Sequence, residues 1–454
     1  MKIGLIGEKL GHSFSREIHE KIGYAPYFLR ELKPEEVGPF LRSGGFSGLN
    51  VTIPYKETVL PYLNEISETA AEIEAVNTIV NRDGLLTGYN TDFYGLLALI
   101  RKSAVEIMDK TVMILGTGGT SKTALSVLKF LKAGKIIRVS RTGKNVKNFE
   151  ALSFDVFTGE TPVSYESIPE FAGETEILIN TTPVGMFPET EACPVNLSVF
   201  PGLKSVIDVI YNPLRTQLTA EAKKRGIPAA NGLYMLVAQG VTASRLFRGE
   251  TLPDGFLNGN FAGAANADVE DRRATEEILR EIERIYGELL REKRNLVLIG
   301  MPSAGKTTVG KLLAEKTGRR FIDTDLQIAE KLGVSVADFI RENGEEKFRA
   351  AEKNEISEVA GEKGCVIATG GGSVLFPENA EALKRNGITV YLRRPLSELL
   401  TGNDRPLSDN KEKLRALYEK RTPIYEALAD VTVDVAATPE ETAQAVIKGE
   451  KQCG

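Results

Sequence analysis

The chain has 454 residues, 42% hydrophobic and 26% charged, with no tryptophan. At about 150 residues per domain the length predicts roughly three domains, and the proportions exclude a disordered or fibrous chain. Its 57 basic and 62 acidic residues leave a formal charge of −5, which with no long basic block argues against a nucleic-acid partner. Three distant cysteines, Cys193, Cys365 and Cys453, build neither a disulfide framework nor a CxxC zinc site. Two histidines, His12 and His19, leave little material for a multi-histidine metal centre or a Ser-His-Asp triad. Glu8 interrupts the N-terminal apolar stretch before a signal-peptide core forms, and no run approaches 18 apolar residues. The expectation is a soluble, cytoplasmic, multidomain enzyme with no membrane partner.

Short runs rich in Val and Ile alternate with amphipathic stretches, which predicts βα units and parallel sheets. In chain order, strands are expected at 2–6, 111–115, 135–139, 177–180, 205–209, 296–299, 365–368 and 389–392. Between 251 and 268 the chain is dense in Gly, Asn, Ala and Asp without periodicity, and reads as a linker. The segment 271–294 then carries seven basic and seven acidic residues. Its Ile278, Ile282, Ile285 and Leu289, spaced 4, 3 and 4, fall on one helical face. Linker and helix divide a front part of two domains from a rear part of one.

In the front part, the strand at 111–115 runs into Gly116-Thr117-Gly118-Gly119-Thr120-Ser121-Lys122. Ser121 before Lys122 rules out a Walker loop, and the match to G-x-G-x-x-G lacks its third Gly or Ala. The next strand ends in Ser140-Arg141-Thr142. An arginine where an acid would bind a ribose hydroxyl suits the 2′-phosphate of NADP. Ahead of this fold lie Asn50-Val-Thr52-Ile-Pro54-Tyr-Lys56, Ala75-Val-Asn77-Thr78 and Gly88-Tyr-Asn-Thr91-Asp92. A lysine and an aspartate from separate loops form an acid–base pair able to move a proton at a carbinol oxygen.

Together with Gly11-His-Ser13-Phe-Ser15, Asn180-Thr-Thr-Pro-Val-Gly185, Asp208-x-x-Tyr211 and Gly232-Leu-Tyr-Met235-Leu-Val-x-Gln239, these motifs resemble shikimate dehydrogenase over about residues 1–249. Arg16 stands where that family usually has Pro. The resemblance implies Ser13, Ser15, Thr52, Asn77, Asp92, Tyr211 and Gln239 as shikimate contacts, with Lys56 and Asp92 catalytic. It implies Gly116, Thr117, Gly118, Gly119, Thr120, Ser140, Arg141, Thr142, Val209, Gly232 and Glu68 at NADP(H). It also implies a substrate domain of 1–100, completed by 232–250, around a Rossmann nucleotide domain of 101–231.

In the rear part, the strand at 296–299 enters Gly300-Met-Pro-Ser303-Ala304-Gly305-Lys306-Thr307-Thr308. This is G-x-x-x-x-G-K-[ST] in its required strand–turn–helix context. Its amides converge on phosphate, Lys306 reaches the β/γ-phosphates and Thr307 ligates Mg2+, so a nucleoside triphosphate is expected. Phe321-Ile-Asp323-Thr-Asp325 places two carboxylates on one side of an extended stretch.

With Glu345-Glu-Lys-Phe348-Arg349-x-x-Glu352, Thr369-Gly370-Gly371-Gly372-Ser373, Asn403-Asp-Arg405-Pro-Leu and Arg421-Thr-Pro-x-Tyr425, the rear part resembles shikimate kinase from 295 to about 448. Ser408 replaces a usual second Leu after Arg405. The resemblance implies that Asp325, Arg349, Gly371 and Arg421 hold shikimate, that Asp325 orients or deprotonates its hydroxyl, that Arg405 acts from a lid over ATP, and that Asp323 supports Mg2+. The expected fold is α/β, with a P-loop domain at 295–449 whose parallel sheet carries helices on both faces. The segment 251–294 is the linker with its charged helix.

That helix resembles the first helix of the all-α chorismate mutases; the expectation is a charged connector or a dimerising helix, the latter giving a homodimer. The combined expectation is NADPH-dependent reduction of 3-dehydroshikimate, then MgATP-dependent phosphorylation of shikimate. An NAD-dependent quinate oxidase and a ligand-sensing regulator are the rivals.

Overall fold

The computed structural model describes residues 2–11, 13–140, 161–257, 268–399 and 411–452. Of the expected site residues, Arg141, Thr142 and Arg405 lie outside this set. The chain divides into two compact units, Met1–Leu289 and Leu290–Gly454. All eight strands expected from the sequence form, with ends shifted by at most two residues.

Among the described residues the front unit holds two six-stranded sheets. The first runs Tyr27–Glu31, Ile3–Gly7, Gly48–Val51, Thr78–Arg82, Leu85–Tyr89, Glu65–Ile66. It is mixed rather than parallel, because Thr78–Arg82 pairs antiparallel with both Gly48–Val51 and Leu85–Tyr89. The reason is local. Asp83 and Gly84 take φ of 52° and 90° between those two strands, the left-handed pair that an Asp-Gly hairpin turn demands.

The second sheet is parallel throughout. Its order is Ala229–Ala230, Ser205–Asp208, Ile177–Asn180, Thr111–Leu115, Lys135–Ser140, Thr161–Ser164. Strand order reverses between Thr111–Leu115 and Ile177–Asn180, the crevice where such sheets take a dinucleotide.

The charged helix spans Val269–Lys293 and belongs largely to the front unit. Ile278, Ile282, Ile285 and Leu289 are completely buried. Glu283 accepts from Lys102 at 2.7 Å and from the Tyr234 hydroxyl at 3.0 Å. Arg284 donates to the Lys21 carbonyl at 3.4 Å. These bonds tie the helix to Ser15–Ile22, Thr91–Lys102 and Leu233–Arg248. Part of the expected linker is docked as well: Asp254–Leu257 is helical, Phe256 is buried, and the Gly255 amide donates to Asp271 at 2.8 Å.

The apolar face, expected on a charged connector or a dimerising helix, is thus packed within its own unit. Ile282→Ala should destabilise the front unit by about 2–4 kcal/mol, the usual loss for emptying a core isoleucine site. Denaturant unfolding followed by circular dichroism would measure it; an unchanged midpoint would mean a dispensable connector.

The rear unit has one parallel sheet ordered Arg320–Asp323, Cys365–Ala368, Asn295–Ile299, Gly387–Arg393, Val431–Asp434. Val297, Ile299, Ile367 and Tyr391 join one core cluster; Leu296, Leu298, Val366 and Val390 join another. Alternate residues feeding two cores means both faces are covered, as a buried parallel sheet requires. Among the described residues no helix is long and apolar enough to cross a membrane.

Candidate active sites

In the front unit Lys56 follows the strand Gly48–Val51, and Asp92 lies in the first turn of the helix Thr91–Lys102. Asn90 caps that helix by accepting from the Phe93 amide at 3.2 Å. The helix N-terminus favours the Asp92 carboxylate. Lys56 Nζ stands 2.5 Å from Asp92 Oδ2, both largely sequestered. The two motifs, 36 residues apart, therefore form one ion pair.

Around it Asn77 donates to Thr91 Oγ1 at 3.0 Å and to Gln239 Oε1 at 3.4 Å. Gln239 arrives on the helix Leu233–Arg248, which can come this close because residue 95 is glycine: a Cβ there would lie 2.7 Å from the Met235 carbonyl. Ser13 donates to Ser15 at 3.1 Å. Desolvation pushes the Tyr211 hydroxyl up to about 12, opposed by a hydrogen bond with Ser13. Thr52 directly follows the strand Gly48–Val51, its amide bonded to the Ile6 carbonyl at 3.0 Å. Arg16 does not prevent the helix from starting at Ser15; its Nε donates to the Tyr27 carbonyl at 3.3 Å.

The glycine turn meets this network directly. A Cβ on Gly119 would lie 3.5 Å from Lys56 Cδ, whereas one on Gly118 would face open space. Gly116 takes φ of +114°, and a side chain there would strike Thr181 Oγ1 at 2.7 Å. Val209 and Gly232 touch each other so closely that a Cβ on Gly232 would fall 1.9 Å from the Val209 carbonyl oxygen. Ser140 Oγ is buried without a hydrogen-bond partner among the described residues. Glu68 is the outlying member of the expected set, exposed at the start of the helix Glu68–Ile73.

In the front unit Asp208, part of a motif with no role expected of it, holds the site's strands together. Asp208 accepts from Asn180 at 3.0 Å, the Ile210 amide at 3.1 Å and Thr216 at 2.7 Å. Burial raises its carboxyl to about 6 against those three bonds. It fastens together the strand ends that carry Thr181 and Val209.

In the rear unit the strand Asn295–Ile299 leads through the phosphate loop into the helix Lys306–Thr317. Lys306 is buried and donates to the Gly300 and Met301 carbonyls at 2.9 and 3.0 Å. Thr307 Oγ1 donates to Asp323 Oδ2 at 2.7 Å. The extended stretch expected through Asp325 stops earlier. Asp323 accepts from the Leu326 amide at 3.3 Å and so caps the helix Thr324–Leu332, which puts Asp325 in its first turn. Cap formation overrides the alternation argument, yet the two carboxylates stay close enough to interact.

Asp325 is raised to about 6, chiefly by burial, with Lys306 opposing and Asp323 and Glu352 adding to it. Its Oδ1 and the Nε of buried Arg421 lack hydrogen-bond partners among the described residues. The Gly370–Gly372 turn is wedged between these groups. A Cβ on Gly370 would meet Asp325 Oδ1 at 2.5 Å, one on Gly371 would meet Pro302 at 2.9 Å, and one on Gly372 would meet Arg349 at 2.6 Å. Tyr425 donates to the Gly371 carbonyl. Arg349 is held by Glu352 and Glu345, both at 2.8 Å, and Ser373 donates to Glu352 at 2.6 Å. Glu352 was quoted in its motif but given no role; the i,i+3 spacing from Arg349 was the available signal.

The segment 5–79 matches the model for the shikimate dehydrogenase substrate binding domain, and 302–449 matches that for shikimate kinase. An NADP(+) shikimate dehydrogenase of Clostridium perfringens (strain SM101 / Type A) is 40% identical over 256 residues, which are 54% of this chain and 92% of that enzyme. The chain belongs to the shikimate dehydrogenase family. At its C-terminal end it carries a shikimate kinase domain, which makes it a bifunctional enzyme.

The crystal structure of Shikimate Dehydrogenase 1 from Peptoclostridium difficile matches with a TM-score of 0.52 and 30% identity, over 64% of this chain and 98% of that one. A chorismate mutase/shikimate 5-dehydrogenase fusion protein from Clostridium acetobutylicum matches with a TM-score of 0.51 and 32% identity, over 62% of this chain and 99% of that one. NADP, ATP and Mg2+ are the cofactors of this pair of domains. The geometry fits them: open space at Gly118 and the unpartnered Ser140 hydroxyl suit the dinucleotide, and the Lys306 loop suits phosphate. Thr307 and Asp323 suit Mg2+, which takes few protein ligands beside phosphate oxygens.

Proposed function

We propose that the front unit reduces 3-dehydroshikimate to shikimate and that the rear unit phosphorylates the 3-hydroxyl of that product. The observation that carries this reading is the union, in one chain, of two enzyme families that share a metabolite. Residues 1–100 with 232–250 are read as the substrate domain, 101–231 as the nucleotide domain and 295–449 as the kinase. Two free cysteines among the described residues accord with a cytoplasmic location.

NADPH, when bound, supplies the hydride for the carbonyl carbon, and MgATP supplies the phosphoryl group. Lys56 gives its proton to the carbonyl oxygen as that oxygen becomes a hydroxyl, while Asp92 orients the ammonium. Asn77, Gln239, Thr52, Ser13, Ser15 and Tyr211 offer the hydroxyl and amide groups that suit a polyhydroxy acid. In the rear unit Arg349 and Arg421 grip the carboxylate. Asp325 takes the proton from the attacking hydroxyl. Lys306 and, from outside the described residues, Arg405 stabilise charge on the transferring group. Arg349 is already oriented by Glu352 and Glu345, so the substrate meets a preset guanidinium.

A coupled assay tests the two-step reading. Given 3-dehydroshikimate, NADPH and MgATP, NADPH loss should precede ADP release, and omission of NADPH should abolish both. ADP release without added NADPH, or NADPH loss that yields no phosphorylated product, would remove it. Arg141, though outside the described residues, carries the cofactor choice: Arg141→Ala should raise KM for NADPH roughly 10-fold or more, the scale of a lost charge-assisted phosphate contact. KM for NADH should barely move, and equal shifts for both would remove the NADP assignment.

A further inference from the structure

The phosphate loop contains a strained turn. Ala304 N donates to the Met301 carbonyl at 3.2 Å, which closes a four-residue turn with Pro302 and Ser303 at its centre. Pro302 fixes its own φ near −65°, and Ser303 takes φ of +66°. A proline followed by a left-handed residue is the type II pattern, which selects glycine at the second central position. Serine there opposes the turn, because its Cβ crowds the backbone in that region.

The opposing hold comes from the neighbouring strand. Gly387–Arg393 pairs with the phosphate-loop strand in the register Ile299↔Tyr391, so its end lies beside the loop. The loop starts hard against it: a Cβ on Gly300 would lie 2.8 Å from the Leu392 carbonyl. Two residues on, Arg394 donates from its guanidinium to the Ser303 carbonyl at 3.3 Å. The peptide after Ser303 is then fixed at both ends, its carbonyl by Arg394 and its N–H by Met301. Glu398, 3.5 Å from Arg394 Nε, steadies the arginine from the other side.

We propose that Arg394 is a positioning residue for the kinase, holding Ser303 in its left-handed conformation so that the amides of Gly305, Lys306 and Thr307 are aimed at phosphate. This rests on reading the loop as the MgATP site. The prediction is specific because strain, unlike a missing ligand contact, can be removed at another residue. Ser303→Gly permits the same φ without a Cβ.

The test measures MgATP binding by calorimetry, together with kinase KM and kcat, in the full chain. Arg394→Ala should weaken MgATP binding about 5- to 20-fold, with shikimate affinity and NADPH oxidation unchanged. Ser303→Gly supplies the reference for the pair. Added to it, Arg394→Ala should change MgATP binding by no more than about threefold, a coupling that independent sites would not show. If Arg394→Ala fails to fold, Arg394→Lys is carried through the same pairing. Unchanged binding in the arginine variant, or a loss that persists in the Ser303→Gly background, would overturn the proposal, the second result meaning direct contact with nucleotide. A wild-type chain that binds no MgATP would instead overturn the reading of the site itself.

Discussion

Lys56→Ala should lower the rate of NADPH oxidation with 3-dehydroshikimate by roughly 10²–10⁴-fold, the scale of a lost general acid. Lys56 is the cation of a 2.5 Å pair with Asp92, sits against Gly119 of the nucleotide turn, and borders the Asn77–Gln239 network. It thus lies where the nucleotide turn and the expected substrate network meet. Its removal leaves Asp92 as a buried, unpaired carboxylate, so KM is expected to rise as well. Phosphorylation of supplied shikimate should be nearly unchanged, since that chemistry resides in residues 290–454. Lys56→Ala with Asp92→Ala should lose little more than either alone, because the two act as a unit. Additive losses would separate their roles, and equal loss of both activities would contradict independent sites.

The second large effect is expected at Asp325. Asp325→Asn keeps the size and one acceptor but cannot take a proton, so kinase kcat should fall roughly 10²–10⁴-fold. MgATP affinity should survive, because the Lys306 loop and the Thr307–Asp323 contact are untouched. If MgATP affinity fell and kcat for bound substrates held, Asp325 would belong to the metal shell and Asp323 would become the better candidate for the hydroxyl. Burial raises Asp325 to about 6 from 3.8, so below that pH it is protonated and unable to act. The kcat/KM for shikimate should therefore fall about tenfold per pH unit on the acid side of 6, and the asparagine variant should lose that limb.

Stability has the opposite sign. A carboxyl raised in the folded state is most favourable when protonated. Its contribution is full below 3.8 and is lost as pH rises through about 6. At pH 7 Asp325→Asn removes that penalty and should stabilise the rear unit by roughly 1–3 kcal/mol. A variant both slower and more stable would mark Asp325 as a group kept for chemistry at the expense of packing.

The sequence exposes central parallel strands well, because Val- and Ile-rich runs buried on both faces are continuous. It shows edge and mixed strands poorly. Thr78–Arg82 and Leu85–Tyr89 do not stand out despite the Asp83-Gly84 hairpin signal, since their residues mix polar and apolar types. The site residues were readable as motifs, but their meetings were not. Asn77 and Gln239 lie 162 residues apart, and only the close approach at Gly95 brings them within 3.4 Å. Local spacing reveals Arg349 with Glu352, whereas the wedge of Gly370–Gly372 among Asp325, Pro302 and Arg349 depends on three separate crossings of one sheet. Asp323 misled for a different reason: its carboxylate ends the strand by capping the next helix.

The packing of Val269–Lys293 decides how the two activities could be obtained as separate proteins. A gene divided in the compositional linker at 251–268 would strand the helix on the wrong product. The front fragment would expose the groove that Ile278, Ile282, Ile285 and Leu289 now fill, and the rear fragment would begin with an uncovered apolar stripe. Both would tend to associate or precipitate. Division after Leu289 keeps the stripe with its groove and follows the boundary between the two units, so soluble halves are expected from that cut rather than from the glycine-rich stretch.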